Sequence, residues 1–135
     1  MLKEKTEARK VKILVIDDDE IALEAIREVL VGAGYEPVCM GSPIGATQVI
    51  VSQGIEAVVV DLNMPVMTGD RFISLLRSWD RIRTLPAILI SESTQERLED
   101  VAGPLALVQT VTKSNMRKAL PHALQRALAR AGKRT

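Results

Sequence analysis

Residues 58–69 read VVVDLNMPVMTG. Three valines run straight into Asp61, and Pro65 follows four positions later. β-branched residues suit a strand, and an unbroken apolar run suits a strand covered on both faces. Asp61 then falls where that strand leaves the core. A carboxylate at such a place is a helix cap, a packing fault or a group that does chemistry.

Working outward, the same pattern recurs. VKILVI (11–16) is a second β-branched run, and it ends in Asp17-Asp18-Asp19. The segment that follows sets Ile21, Ala25, Ile26, Val29 and Leu30 at helical spacing, with Gly32 and Gly34 as the stop. PVCM (37–40) reads as a strand, followed by a helix over about Ile44–Gln53 and then Gly54. AVVV (57–60) is the third strand, and DRFISLLRSW after Gly69 is an amphipathic helix. Pro86 opens AILI (87–90), the fourth strand. A polar helical segment over 91–101 stops at Gly103-Pro104, so the 91–107 connection is expected to be partly irregular. LALVQTVT (105–112) carries the fifth strand, and the last helix runs from about Asn115 to Ala131. Strict alternation of this kind predicts an α/β fold, with parallel strands, right-handed helical crossovers and helices on both faces. Ligands of such sheets collect outside the carboxyl ends of the strands.

Composition narrows the function classes. The chain has 135 residues, 47% of them hydrophobic and 26% charged, with a formal net charge of +1. That predicts one soluble domain and gives no electrostatic footprint for nucleic acid; with only Tyr35, Phe72 and Trp79 aromatic, base stacking is not expected either. The single Cys39 excludes an internal disulfide and a multi-cysteine zinc site, and is expected to pack in its strand. MLKEKTEARK lacks the apolar core of a signal peptide, and no stretch approaches the ~20 apolar residues of a membrane span. A cytoplasmic location is the expectation.

At the carboxyl ends stand Asp17, Asp18 and Asp19 on strand one, Asp61 on strand three, Ser91 on strand four and Lys113 on strand five. Each has a plain reading alone: the acids and Ser91 as helix caps, Lys113 as a loop lysine. Together they do not, because clustered carboxylates repel unless a cation or a proton offsets them. Two or three carboxylates with a backbone carbonyl form a hard oxygen site suited to Mg²⁺. A carboxylate can also attack phosphorus, and the transferring group then needs a metal, a cation and hydrogen-bond donors. Mg²⁺, Lys113 and Ser91 would fill those roles, and Asp61, alone on its strand, is the natural nucleophile.

Over about 10–130 the sequence resembles the receiver domain of two-component response regulators. The residues that carry the likeness are ILVIDDDE, VVVDLNMPVMTG, LPAILIS and TVTK; the acceptor aspartate with asparagine two on, proline four on and glycine eight on is its most specific part. The resemblance implies a flavodoxin-like doubly wound sheet of five parallel strands in the order 2-1-3-4-5. It implies a receiver domain over 10–131, with an N-terminal extension (1–9) and a basic tail (132–135). Asp61 would be phosphorylated; Asp18, Asp61 and the Asn63 carbonyl would bind Mg²⁺, with Asp17 assisting through water. Lys113 would contact the phosphoryl group, and Ser91 would move toward it. Pro65 and Gly69 would turn the loop back so that the Asn63 carbonyl faces the metal.

Departures from the family pattern fall on the output half. Ser114 stands where a proline after a cis bond is common, Thr110 where an aromatic ring swings, and Glu92 where a small residue leaves room for phosphate. With Ser93, these are the positions expected to modulate the switch. His122 and Trp79 are expected at the surface or in packing, and Met64 and Met67 in packing, since thioethers suit soft metals. The leading functional expectation is a stand-alone phosphoacceptor switch served by a histidine kinase or phosphotransfer protein. Its output would be protein contact through the fourth helix, fifth strand and fifth helix, where a homodimer is also possible. Alternatives are a phosphate sink or relay intermediate, a degenerate receiver that binds constitutively, and a haloacid-dehalogenase-like phosphatase. The last wants a second acid where Asn63 stands.

Overall fold

The computed structural model describes residues 9–132. The elements are β1 (Lys12–Ile16), α1 (Glu20–Gly32), β2 (Glu36–Met40), α2 (Ala46–Gln53), β3 (Ala57–Asp61), α3 (Gly69–Arg77), β4 (Ala87–Ser91), α4 (Gln95–Ala102), β5 (Val108–Thr112) and α5 (Met116–Arg130). A 3-10 turn over Lys113–Asn115 leads into α5. The strands pair in parallel in the order β2-β1-β3-β4-β5, as expected. Apart from Arg9 and Gly132, the expected extension (1–9) and basic tail (132–135) lie outside the described residues.

The pleat explains the unbroken apolar runs. Ile13, Val15, Ala57, Val59, Ile88 and Ile90 point to one face, where α1 and α5 bury Ile26, Leu30, Leu120 and Leu124. Leu14, Ile16, Val58, Val60, Ala87 and Leu89 point to the other, under α2, α3 and α4 with Ile50, Phe72, Leu76 and Leu98. Side chains of a strand alternate between faces, so a strand with helices on both sides must be apolar at every position. Each fully buried Val or Ile contributes about 1.5–3 kcal/mol relative to exposure. β3 lies between β1 and β4 and, like β4, is buried along its whole length, so the position of Asp61 is fixed by a strand packed on both faces.

The differences from the sequence reading have physical causes. β5 begins at Val108 rather than 105, because Leu107 adopts φ 60, a left-handed conformation that breaks the pleat. The Leu107 carbonyl accepts from the Ala87 N–H at 3.1 Å and from Arg77 Nη2 at 3.3 Å, and the Ala106 carbonyl accepts from Arg77 Nε at 2.9 Å. The helix expected from 91 begins at Gln95; Ser91 is the last residue of β4, and Thr94 is the cap, accepting from the Arg97 N–H. Cys39 is exposed, not buried, because β2 is an edge strand that the neighbouring helices cover only in part. Ile21 is 82% exposed, since the inward stripe of α1 runs through Ala22, Ile26, Val29 and Leu30 instead. No peptide bond is cis among the described residues, so Lys113–Ser114 is trans. His122 is exposed, Trp79 is 46% exposed, and Met64 and Met67 pack in the α2–α4 core. No helix of the described residues is long and apolar enough to cross a membrane.

Candidate functional site

Parallel strands all end on one edge, and the loops beyond them carry the polar groups. Asp17, Asp18 and Asp61 each bring a carboxylate oxygen to within 4.8 Å of the others. Asp17 is fully buried and Asp61 is 5% exposed, while Asp18 is open to solvent. Asp17 Oδ1 accepts from the Asp19 N–H at 2.9 Å. Asp17 Oδ2 accepts from the ammonium of Lys113 at 2.7 Å, a charge-assisted hydrogen bond that offsets its burial. Lys113 Nζ also lies 3.2 Å from Asp61 Oδ1, so one cation bridges two buried carboxylates.

The titration of these groups follows from that arrangement. Burial pushes the Asp61 carboxyl up, and the Asp17 charge adds to it; Lys113 opposes both, and the outcome is a value of about 6. Burial by itself would lower the Lys113 ammonium, but Asp17 and Asp61 outweigh it and hold the lysine above its ordinary range. The edge is therefore short of positive charge. Oxygen-only donors and repulsion between three clustered carboxylates fit a hard divalent cation.

The backbone beyond β3 turns back tightly. The Leu62 N–H donates to the Ile90 carbonyl and the Gly69 N–H to the Leu62 carbonyl, each at 2.8 Å. A Cβ on Gly69 would run into the carbonyl oxygen of Asp61 and lie 2.9 Å from Leu89 Cδ1. Glycine is required there by close approach, not by an unusual φ. The closed loop leaves a cavity of about 250 Å³ lined by Asp17, Asp18, Asp19 and Asp61 with Asn63, Glu92 and Lys113. A hollow of about 200 Å³ near Ile50, Ile82 and Leu85 is similar in size but brings together no acidic groups, so chemistry rather than volume singles out the first.

The other expected residues are distributed unevenly. Ser91 is fully buried and does not line the cavity. Its hydroxyl accepts from the Ser93 N–H at 3.0 Å and from Asn63 Nδ2 at 3.4 Å, and donates to Ser93 Oγ at 3.2 Å. Asp19 caps α1 by accepting from the Ile21 N–H. Ser114 is exposed and lies beside Thr112, their hydroxyl oxygens 3.4 Å apart, so it does not reach the cavity. Thr110 Oγ1 accepts from Gln95 Nε2 at 2.6 Å, and the same amide nitrogen donates to Glu99 Oε2 at 3.1 Å. Gln95 was not singled out from the sequence. A polar residue in the first turn of a helix carries no signal of a partner fifteen positions away. Arg77 escaped for the same reason.

Known proteins are similar to this chain in sequence and in fold. A family model described as response regulator receiver domain matches residues 13–125, and the chain belongs to that family. Its setting is thus two-component signalling. Response regulator protein FleR of Pseudomonas aeruginosa is 32% identical over 80 residues, 59% of this chain and 16% of that protein. Transcriptional regulatory protein KdpE of Mycobacterium tuberculosis is 33% identical over 82 residues, 61% of this chain and 35% of that protein. The chain thus spans about a third or less of the length of these two relatives. A sensor protein from Polaromonas superposes with a TM-score of 0.82 at 28% identity, covering 91% of this chain and 99% of that one.

Proposed function

We propose that the chain is a phosphoacceptor switch in which Asp61 takes a phosphoryl group from a phosphohistidine of a kinase or phosphotransfer protein. The observation that carries this reading is the Lys113 ammonium bridging buried Asp17 and Asp61, in a cavity that three carboxylates share. An Asp61 oxygen attacks phosphorus in line, the new O–P bond forms as the P–N bond breaks, and the imidazole leaves with the electron pair. Lys113 holds the acceptor oriented and meets the charge that develops on the phosphoryl oxygens. Asp18, Asp61 and the Asn63 carbonyl would hold Mg²⁺, with Asp17 assisting through water; when bound, the ion neutralises negative charge at the acceptor.

Ser91 is the group that would respond to the product. Its hydroxyl is shared with Ser93 and Asn63, and a phosphoryl oxygen on Asp61 is a stronger, charged acceptor for that proton. Its displacement would draw on residues 92–94 and so on α4, altering the α4–β5–α5 surface offered to a protein partner or a second copy. The chain acts on itself and turns over no separate substrate, in the cytoplasm where kinases of this kind present their phosphohistidine. The receiver unit spans 10–131, flanked by the 1–9 extension and the 132–135 tail.

Incubation with acetyl phosphate and Mg²⁺ followed by intact mass tests this. One phosphoryl group is expected, lost in Asp61→Asn and on removal of the metal by chelation. An unmodified wild-type chain at millimolar Mg²⁺ would leave a constitutive binding module. Continued turnover of phosphate esters would point to a phosphatase.

A further inference from the structure

The cavity at the sheet edge is lopsided in charge. Asp17, Asp18, Asp19, Asp61 and Glu92 surround it with carboxylates, against the one ammonium of Lys113. Four of these acids have evident tasks. Asp17 and Asp61 hold Lys113, Asp19 caps α1, and Asp18 brings a carboxylate oxygen within 4.8 Å of those of Asp17 and Asp61. Glu92 has none. It follows Ser91 directly, is exposed, and makes no ion pair among the described residues. Such a carboxylate does not hold the fold together. What it does is add negative charge to the mouth of a site whose donor is itself an anion, and like charge slows approach.

Building on the phosphoacceptor reading, we propose that Glu92 is a specificity residue for the phosphodonor, a charge filter against small, multiply charged donors. A protein donor brings interface contacts that offset the repulsion from one carboxylate, whereas a small phosphate compound has none. Acetyl phosphate meets the cavity as a dianion near neutral pH. An Asp61 oxygen bonds to phosphorus while the acyl P–O bond breaks and acetate leaves with the electron pair. Phosphoramidate arrives with its nitrogen protonated and about one negative charge less. Its P–N bond breaks and ammonia leaves with the electron pair. Glu92 therefore holds back the first donor more than the second.

The test measures the rate of the Asp61 adduct by intact mass, with saturating Mg²⁺, for wild type, Glu92→Gln and Glu92→Ala. Both donors are used, at low salt and at about 0.5 M salt, where charges more than a few ångströms apart are screened. At low salt both substitutions are expected to speed acetyl phosphate about three- to ten-fold, and phosphoramidate less. The gain shrinks in high salt, and melting temperatures match wild type because Glu92 is exposed. Glu92→Gln at the wild-type rate overturns the proposal. So does a gain that survives salt, or one seen in Glu92→Ala alone, which would make size and not charge the cause. No wild-type adduct from either donor overturns the acceptor reading as well; a wild-type adduct with unaltered variant rates overturns the filter only.

Discussion

An unfolded aspartate releases its proton near 3.8, and folded Asp61 holds its proton to about 6. Between those values the folded state binds more protons than the unfolded state, so stability falls as pH rises through that window. Below the window both states are protonated, above it both are ionised, and this contribution is then flat. The metal-free protein should lose melting temperature from about pH 4 to pH 6, and Asp61→Asn should lack that decline. Protons compete for the same oxygens, so the Mg²⁺ affinity of wild type should fall below about pH 6 in a calorimetric titration. Lys113 has the same slope in a different window: its raised value contributes stability at all ordinary pH, lost only as alkali removes its proton. Lys113→Met leaves Asp17 buried without its one compensating charge, for an expected loss of about 3–5 kcal/mol in urea unfolding. Gly69→Ala forces a methyl against the Asp61 carbonyl and should cost about 1–3 kcal/mol, with the acceptor displaced.

Among the elements, α4, like α2, has a light hold. It is eight residues long and buries only Leu98 and Ala102. The Gln95–Thr110 bond ties its first turn to β5, on a position where no ring fills the gap. Gln95→Ala or Thr110→Val should cost about 1 kcal/mol in global stability. Amide exchange should speed up in residues 95–99 while β1 and β3 stay protected. A uniform change across all elements would contradict a local tie. Strand positions were legible from apolar runs, because a strand buried on both faces leaves no polar residue to confuse the period. The boundaries of β5 and α4 were not, because Leu107 carries no glycine to advertise its left-handed backbone, and Ser91 and Thr94 are equally good caps on paper. Cys39 misled because an edge strand shares the sequence of an inner one.

For the whole molecule, alternation of strand and helix foretold that acids, hydroxyl and lysine from separate strands would meet on one edge. Asp17, Asp18, Asp61 and Lys113 do so, and Asn63 and Glu92 line the same cavity. What the sequence withheld was orientation. Nothing in it says that Ser91 faces Ser93 and Asn63 rather than the cavity, or that Lys113 bridges two acids, since both depend on packing between strands distant in the chain. The proposed switch depends on Asp61 as the acceptor. An aspartyl phosphate is an acyl phosphate, so borohydride reduces it to homoserine, and peptide mapping then reads the modified position. After treatment with acetyl phosphate and Mg²⁺, homoserine is expected at position 61 and at no other acid. Homoserine at 17 or 18 instead, or none anywhere, would contradict the account.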